Sequence, residues 1–212
     1  MANKASCKPF GHKPFVIGLT GSIAMGKSET ARLFADEGIA VYDADASIHK
    51  LYDKGGAAAA IARVFPDAVR GGQVDRAVLS RYVAGDPGAL KKLEELVHPL
   101  ARDERDAFLR AAQARGDDIV VLDIPLLFET GADAGLDALV VASAPEQVQR
   151  ARALSRPGMS EEKFEKLLAR QLPDVEKRAR AHFVIVTDKG LDHARAQVKM
   201  ILAAIREKIH KN

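Results

Sequence analysis

Cysteine is nearly absent from this 212-residue chain. Cys7 stands alone, which excludes an internal disulfide and any zinc site built on paired cysteines. Asparagine is as scarce, with only Asn3 and Asn212. Long apolar runs are missing too: none approaches the ~18 residues of a membrane span. Met1 to Lys13 has positive charge but no apolar stretch ahead of a cleavage site, and Phe15-Val16-Ile17 is too short to supply one. A cytoplasmic protein without membrane contact is expected.

What remains is ordinary globular composition, 47% hydrophobic and 29% charged. At about 150 residues per domain the length predicts one domain, with room for an inserted lobe. A chain of this size buries roughly 70% of its extended surface, so its core needs no staples. The charge sum of 32 minus 29 gives +3. That suits a phosphate-bearing ligand and is too weak to argue for nucleic acid.

Residues 1–13 carry Gly and two Lys-Pro pairs and read as a leader without a fold of its own. A single domain over 14–210 follows. Short apolar runs at Phe15–Thr20, Ile39–Tyr42, Ile119–Ile124, Ala138–Ala142 and Phe183–Thr187 predict strands buried on both faces of a parallel sheet. Helical patterns separate them, the mark of an α/β fold. Residues of about 46–115 show helical character and no good strand, so they read as a helical lobe. Asp75 and Asp86-Pro87 look like helix starts, and Pro99 is expected to open a further helix towards Arg115. A second helical stretch, about 145–181, is broken at Arg156-Pro157-Gly158 and at Pro173.

The strongest signal is Gly21-Ser22-Ile23-Ala24-Met25-Gly26-Lys27-Ser28, a full G-x-x-x-x-G-K-[ST] between a strand and the helical pattern Glu29–Glu37. Glycines let backbone N–H groups curl around phosphate oxygens, and the following helix aims its positive end at them. Lys27 then reaches the β/γ-phosphates and the Ser28 hydroxyl ligates Mg²⁺. The loop marks a nucleoside triphosphate user. Guanine switches usually add an Asn-Lys-x-Asp motif, which two terminal asparagines cannot supply, so adenine is the expected base.

Tyr42-Asp43-Ala44-Asp45 ends the second strand at the sheet edge where α/β folds bind ligands. A carboxylate there could take the proton of an attacking hydroxyl, or could cap the next helix. Asp123 ends the third run like the acid of a Walker-B strand, although Pro125 and Leu126-Leu127-Phe128 follow at once. Arg150, Arg152 and Arg156 form either a solvated face or a mobile lid that neutralises transferring charge. His98 is one histidine before a proline, and His12, His49, His182, His193 and His210 show no metal-ligand spacing.

Together these pieces resemble the dephospho-CoA kinase family. The matching residues are Gly18-Leu19-Thr20-Gly21 with the loop, Val41–Asp45, Asp75-Arg76 with Leu79, Leu96–Leu100, Ile124–Glu129, and Pro145-Glu146 with Gln149-Arg150. The resemblance implies a P-loop fold of the nucleoside-monophosphate-kinase-like type, with a five-stranded parallel sheet, a helical acceptor lobe and a helical lid. It implies ATP-dependent phosphorylation of the ribose 3′-hydroxyl of dephospho-CoA, giving coenzyme A and ADP, by a monomer or weak homo-oligomer. Asp45 is then the base, His98 joins the active site, and Arg150 is the lid arginine, with Arg156 beside it. Arg76, His98 and the turn Pro125, Leu126, Leu127 and Glu129 face the acceptor. Glu29 stands where relatives often have Thr, and Asp188 where an Asn often lies near adenine. Ile23-Ala24-Met25, whose side chains would point away from phosphate, replaces a more glycine-rich interior. The competing readings are another small-molecule or nucleoside kinase, and a nucleotide-hydrolysing switch.

Overall fold

A computed structural model describes residues 12–53 and 56–211, so most of the leader, Cys7 included, lies outside the described residues. The chain folds as two compact units, one reaching Tyr42 and resuming at Ala111, the other Asp43–Arg110. In chain order the elements begin β1 (Phe15–Thr20), α1 (Lys27–Asp36), β2 (Ala40–Asp43), α2 (Ala44–Asp53) and α3 (Ala58–Ala62). Then come β3 (Val69–Arg70), β4 (Gln73–Val74), α4 (Arg76–Val83) and α5 (Pro87–Arg115). Next are β5 (Ile119–Asp123), β6 (Ala138–Ser143), α6 (Glu146–Leu154) and α7 (Glu161–Leu168). α8 (Asp174–Arg180), β7 (Phe183–Val186) and α9 (Leu191–Lys211) complete the chain.

The five long apolar runs form one sheet in the order β2-β5-β1-β6-β7. β1 lies at its centre, parallel to β5 with Leu19 opposite Asp123, and parallel to β6 with Thr20 opposite Val141. β6 and β7 pair in parallel as well. All of β5 is buried, as a strand covered on both faces must be. On one face Leu33 and Phe34 of α1 and Val198, Ile201, Leu202 and Ile205 of α9 pack against Ile17, Leu19, Ile119, Val121, Val140 and Ile185. Fully burying each such side chain contributes about 1.5–3 kcal/mol.

The second unit has its own core of Leu51, Ile61, Phe65, Val74, Leu79 and Val97. Asp75 accepts from the N–H groups of Ala77 and Val78, and Asp86 from those of Gly88 and Ala89, so both expected helix starts carry side-chain caps. Two expectations need correction here. β3 and β4 make a small antiparallel ribbon where no strand was expected, because two-residue strands are too short to show alternation. Its turn is Gly71-Gly72, with φ of +58° and +78°, the backbone that a two-residue hairpin needs. Pro99 does not open a helix. It sits inside the 29-residue α5, where a missing N–H ordinarily costs about 3 kcal/mol. Packing of Leu93, Val97 and Leu100 into the unit's core holds the helix through it.

α8 is anchored by charge. Lys177 is fully buried, with Nζ 2.8 Å from Glu129 Oε1, a charge contact poorly aligned for a hydrogen bond. The same oxygen accepts the Leu172 N–H at 2.7 Å. Burial pushes the Glu129 carboxyl up, but Lys177 and the Leu172 N–H outweigh it and hold the group below its ordinary value. The stabilisation is therefore present above the usual carboxylate range and lost as pH falls through the depressed value. Glu129→Ala strands a buried ammonium and should cost ~3–5 kcal/mol in urea unfolding at neutral pH. Adding Lys177→Met should recover most of that loss, and an uncorrected double variant would show that packing, not charge, anchors α8.

Candidate active site

The loop Gly21–Gly26 leaves the end of the central strand under tight steric limits. A Cβ on Gly21 would stand 2.7 Å from the Ala142 carbonyl of β6. Gly26 adopts φ +88°, and a Cβ there would lie 2.9 Å from Thr187 Cβ and Oγ1. Sheet neighbours on that side thus come close enough that only glycine fits. Directly after Gly26, α1 begins at Lys27, and Thr30 N–H closes its first turn on the Gly26 carbonyl. Its remaining first-turn N–H groups make an anion-binding end. Glu29 lies in that turn, exposed and paired with Arg32 at 2.8 Å. Ser28 is exposed beside it.

The loop's non-glycine side chains are occupied. Ala24 is buried against Ala153 of α6 and Phe164 of α7, with Ile23 packed on the same cluster. Met25 is buried, and its sulfur accepts the Ala144 N–H at 3.1 Å. Ser22 is buried, its hydroxyl without a hydrogen-bond partner.

Lys27 Nζ donates to Asp123 Oδ1 at 2.6 Å, both side chains being largely covered. The parallel register that sets Leu19 opposite Asp123 delivers that carboxylate to the loop. Ser28 and Asp123 are hard oxygen donors of the kind Mg²⁺ takes when phosphates and water complete its shell. No cluster of three or more His, Cys, Asp or Glu suited to a metal occurs among the described residues.

Around the loop sit α6 to α8. Arg150 is paired with Glu161 and, at 2.8 Å, with Glu165, and its guanidinium lies 5.7 Å above the Phe164 ring. Arg152 instead donates to Thr187 Oγ1 and the Thr187 carbonyl, while Thr187 Oγ1 donates to the Met25 carbonyl. Arg156 and Asp188 are exposed. Gln149 and Gln171, which the sequence reading did not single out as loop contacts, hydrogen-bond the peptide groups of Ile23. The available signal was Gln149 sharing the buried face of α6 with Ala153, a polar residue on an inward stripe.

In the turn after β5, Thr20 Oγ1 donates to the Pro125 carbonyl, Leu126 is exposed and Leu127 buried. Glu129 is turned to Leu172 and Lys177 as described. The second unit carries Asp43, Asp45, Arg76 and His98. Asp43 Oδ1 accepts the Ala46 N–H at 2.9 Å and so caps α2. Asp45 is exposed in the first turn, in no described hydrogen bond or ion pair. Arg76 is exposed at the start of α4. Burial raises the pKa of the neighbouring Tyr52 phenol, and the Arg76 charge opposes the rise. His98 is exposed on α5.

Solved structures share this fold. A protein from Thermus thermophilus superposes with a TM-score of 0.80 at 36% identity, covering 91% of this chain and 98% of its own. A dephospho-CoA kinase from Campylobacter jejuni has the same fold, with a TM-score of 0.64 at 22% identity over 92% and 98% of the two chains. The sheet and its loop define a P-loop kinase of the nucleoside-monophosphate-kinase-like type. A sequence model of the family described as dephospho-CoA kinase matches residues 15–193. A dephospho-CoA kinase from Rhodopseudomonas palustris (strain BisB18) is 54% identical over 189 residues, 89% of this chain and 94% of its own. The chain belongs to the dephospho-CoA kinase family.

Gly26→Ala tests the steric reading of the loop. Gly38 also has positive φ, +80°, but nothing lies within 4 Å of a Cβ there. Gly38→Ala should therefore cost only the backbone term, ~1–2 kcal/mol. Gly26→Ala should cost clearly more and also weaken ATP binding, by thermal unfolding and nucleotide titration. Equal losses at the two sites would mean that Thr187 yields freely.

Proposed function

We propose that this chain performs the reaction of its family, ATP-dependent phosphorylation of dephospho-CoA, the final step of coenzyme A synthesis. The carrying observation is the Lys27–Asp123 contact beside the first turn of α1, where cationic and N–H groups converge on one loop. In the reaction the ribose 3′-oxygen forms a bond to the γ-phosphorus, and the bond from that phosphorus to the β–γ bridging oxygen breaks. ADP leaves, and the hydroxyl proton needs an acceptor.

Asp45 fits that acceptor role. Asp43 is committed to capping α2, whereas Asp45 carries no described partner, so its carboxylate can take a proton without giving up a structural bond. Lys27 neutralises charge on the transferring phosphoryl group, shared between phosphate and Asp123. When bound, Mg²⁺ held through Ser28, with Asp123 near, would add further charge neutralisation on the phosphates. Arg150 meets the same charge from the lid, and its present ion pairs are surface pairs worth only about 0–1 kcal/mol each. Residues of about 46–115 serve as acceptor lobe, with Arg76 and His98 on the acceptor together with the turn at Pro125, Leu126 and Leu127. Glu129 supports that turn. The helices of about 145–181 serve as lid, with Arg156 on it and Asp188 on the adenine side. We place the reaction in the cytoplasm; no helix among the described residues is long and apolar enough to cross a membrane.

The deciding assay is ADP release with and without dephospho-CoA, beside a panel of nucleosides and other alcohols. Release that needs dephospho-CoA carries the reading; release without any acceptor would favour a hydrolytic switch. Asp45→Asn should fold normally, bind Mg-ATP almost as before and lose ~10²–10⁴ in kcat. Asp43→Ala should instead lose about 1 kcal/mol of stability with the cap. An Asp45→Asn enzyme within about threefold of the parent, under 1 kcal/mol of barrier, would place the base elsewhere. Lys27→Ala should be inactive through loss of the cation nearest the β/γ-phosphates.

A further inference from the structure

Both backbone hydrogen-bonding groups of one loop residue, Ile23, are taken by side chains from the helical segment around the loop. Ile23 N–H donates to Gln171 Oε1 at 2.9 Å, and Gln149 Nε2 donates to the Ile23 carbonyl at 2.9 Å. Gln149 lies on α6 and Gln171 just beyond α7, 148 positions along the sequence from the residue it grips. The next residue, Ala24, has φ +60°, the only non-glycine among the described residues in the left-handed region. That conformation ordinarily costs ~1–2 kcal/mol and persists only where the surroundings over-determine it. Here the surroundings are identifiable. The Ala24 methyl is buried on Ala153 and Phe164, and the residue before it, Ile23, is held at its N–H and its carbonyl.

We propose that Gln149 and Gln171 are positioning residues that hold the phosphate loop open in its anion-receiving form. They fix the Ile23 N–H and carbonyl, which sets the direction of the N–H groups that follow. Gln171 acts as an acceptor and Gln149 as a donor, so the two amides are not interchangeable. The end of the segment that carries Gln171 is itself pinned, because the adjacent Leu172 N–H is bound by Glu129. Ligand specificity follows from this role. The amides act on the part of the loop that meets phosphate, so they strengthen binding of the triphosphate and leave the nucleoside alone. The proposal rests on reading this loop as the ATP phosphate site.

The test uses the full-length enzyme and compares ATP affinity with competition by adenosine. Gln149→Leu and Gln171→Leu should each weaken ATP about 10-fold or more, one lost hydrogen bond with its partner left unpaired, while adenosine competition is unchanged. The double variant should fall well short of the product of the two effects, because both act on one loop residue. Glutamate variants separate positioning from simple packing. Gln171→Glu keeps an acceptor for the Ile23 N–H, whereas Gln149→Glu sets a carboxylate against the Ile23 carbonyl. Both add the same charge, so Gln171→Glu should bind ATP about 10-fold more tightly than Gln149→Glu. Equal affinities for the two glutamate variants, or adenosine weakened together with ATP, would overturn the proposal. Failure of the parent enzyme to bind ATP, or unchanged binding in Lys27→Ala, would instead remove the reading of the loop on which it stands.

Discussion

A covered ammonium–carboxylate contact, Lys27 with Asp123 at 2.6 Å, depends on nearly every level of this structure at once. It needs β1 and β5 adjacent and parallel although most of a hundred residues separate them in sequence. It needs the register that sets Leu19 beside Asp123. Strand side chains alternate faces, so a slip of one residue would turn the carboxylate to the wrong side. It also needs α1 to begin at the residue after Gly26, which only glycine permits so close to Thr187. A pair of this kind adds little to folding once desolvation is counted. Its value is that it keeps a desolvated cation beside the loop that receives phosphate.

The loop is held by its neighbours more than by its own composition. A glycine-rich interior would reach left-handed backbone without strain, but would also leave the loop many other conformations. This chain places Ile23, Ala24 and Met25 there and fixes them through packing, a sulfur contact and two hydrogen bonds with side-chain amides. The Met25 carbonyl is bonded by Thr187, which Arg152 bonds in turn. Side chains from α6, from the residues after α7 and from the residue after β7 therefore supply restraint that the loop sequence lacks.

The sheet was readable because both its faces are buried, which makes its strands continuous apolar runs in Phe15–Thr20 and Ile119–Asp123. The phosphate loop was readable because its glycines answer a local steric demand. What escaped was set by long-range packing. Pro99 has the local signature of a helix start, yet α5 runs through it because apolar neighbours on both sides pack into one core. Residues 69–74 carry too few side chains to show a strand period. The choice between Asp43 and Asp45 as cap could not be made from spacing, since either fits a helix start; the Ala46 N–H settles it for Asp43. Gln149 and Gln171 look like ordinary polar residues in charged segments until the fold brings Ile23 between them.

Burial separates the cations of α6 to α8 into two kinds. Lys177 has no exposed side-chain surface, and removing its partner would leave a charge with no water to turn to. Arg150 is 41% exposed, and its carboxylate partners are more exposed still. Water can replace those partners at little cost, since exposed pairs are weak and salt-screened. The same segment thus holds one charge that is costly to move and one that is cheap to move. α8 stays tied through Glu129 whether or not Arg150 leaves Glu161 and Glu165. Arg150 can therefore exchange its partners for water without loosening the end of the segment that carries Gln171.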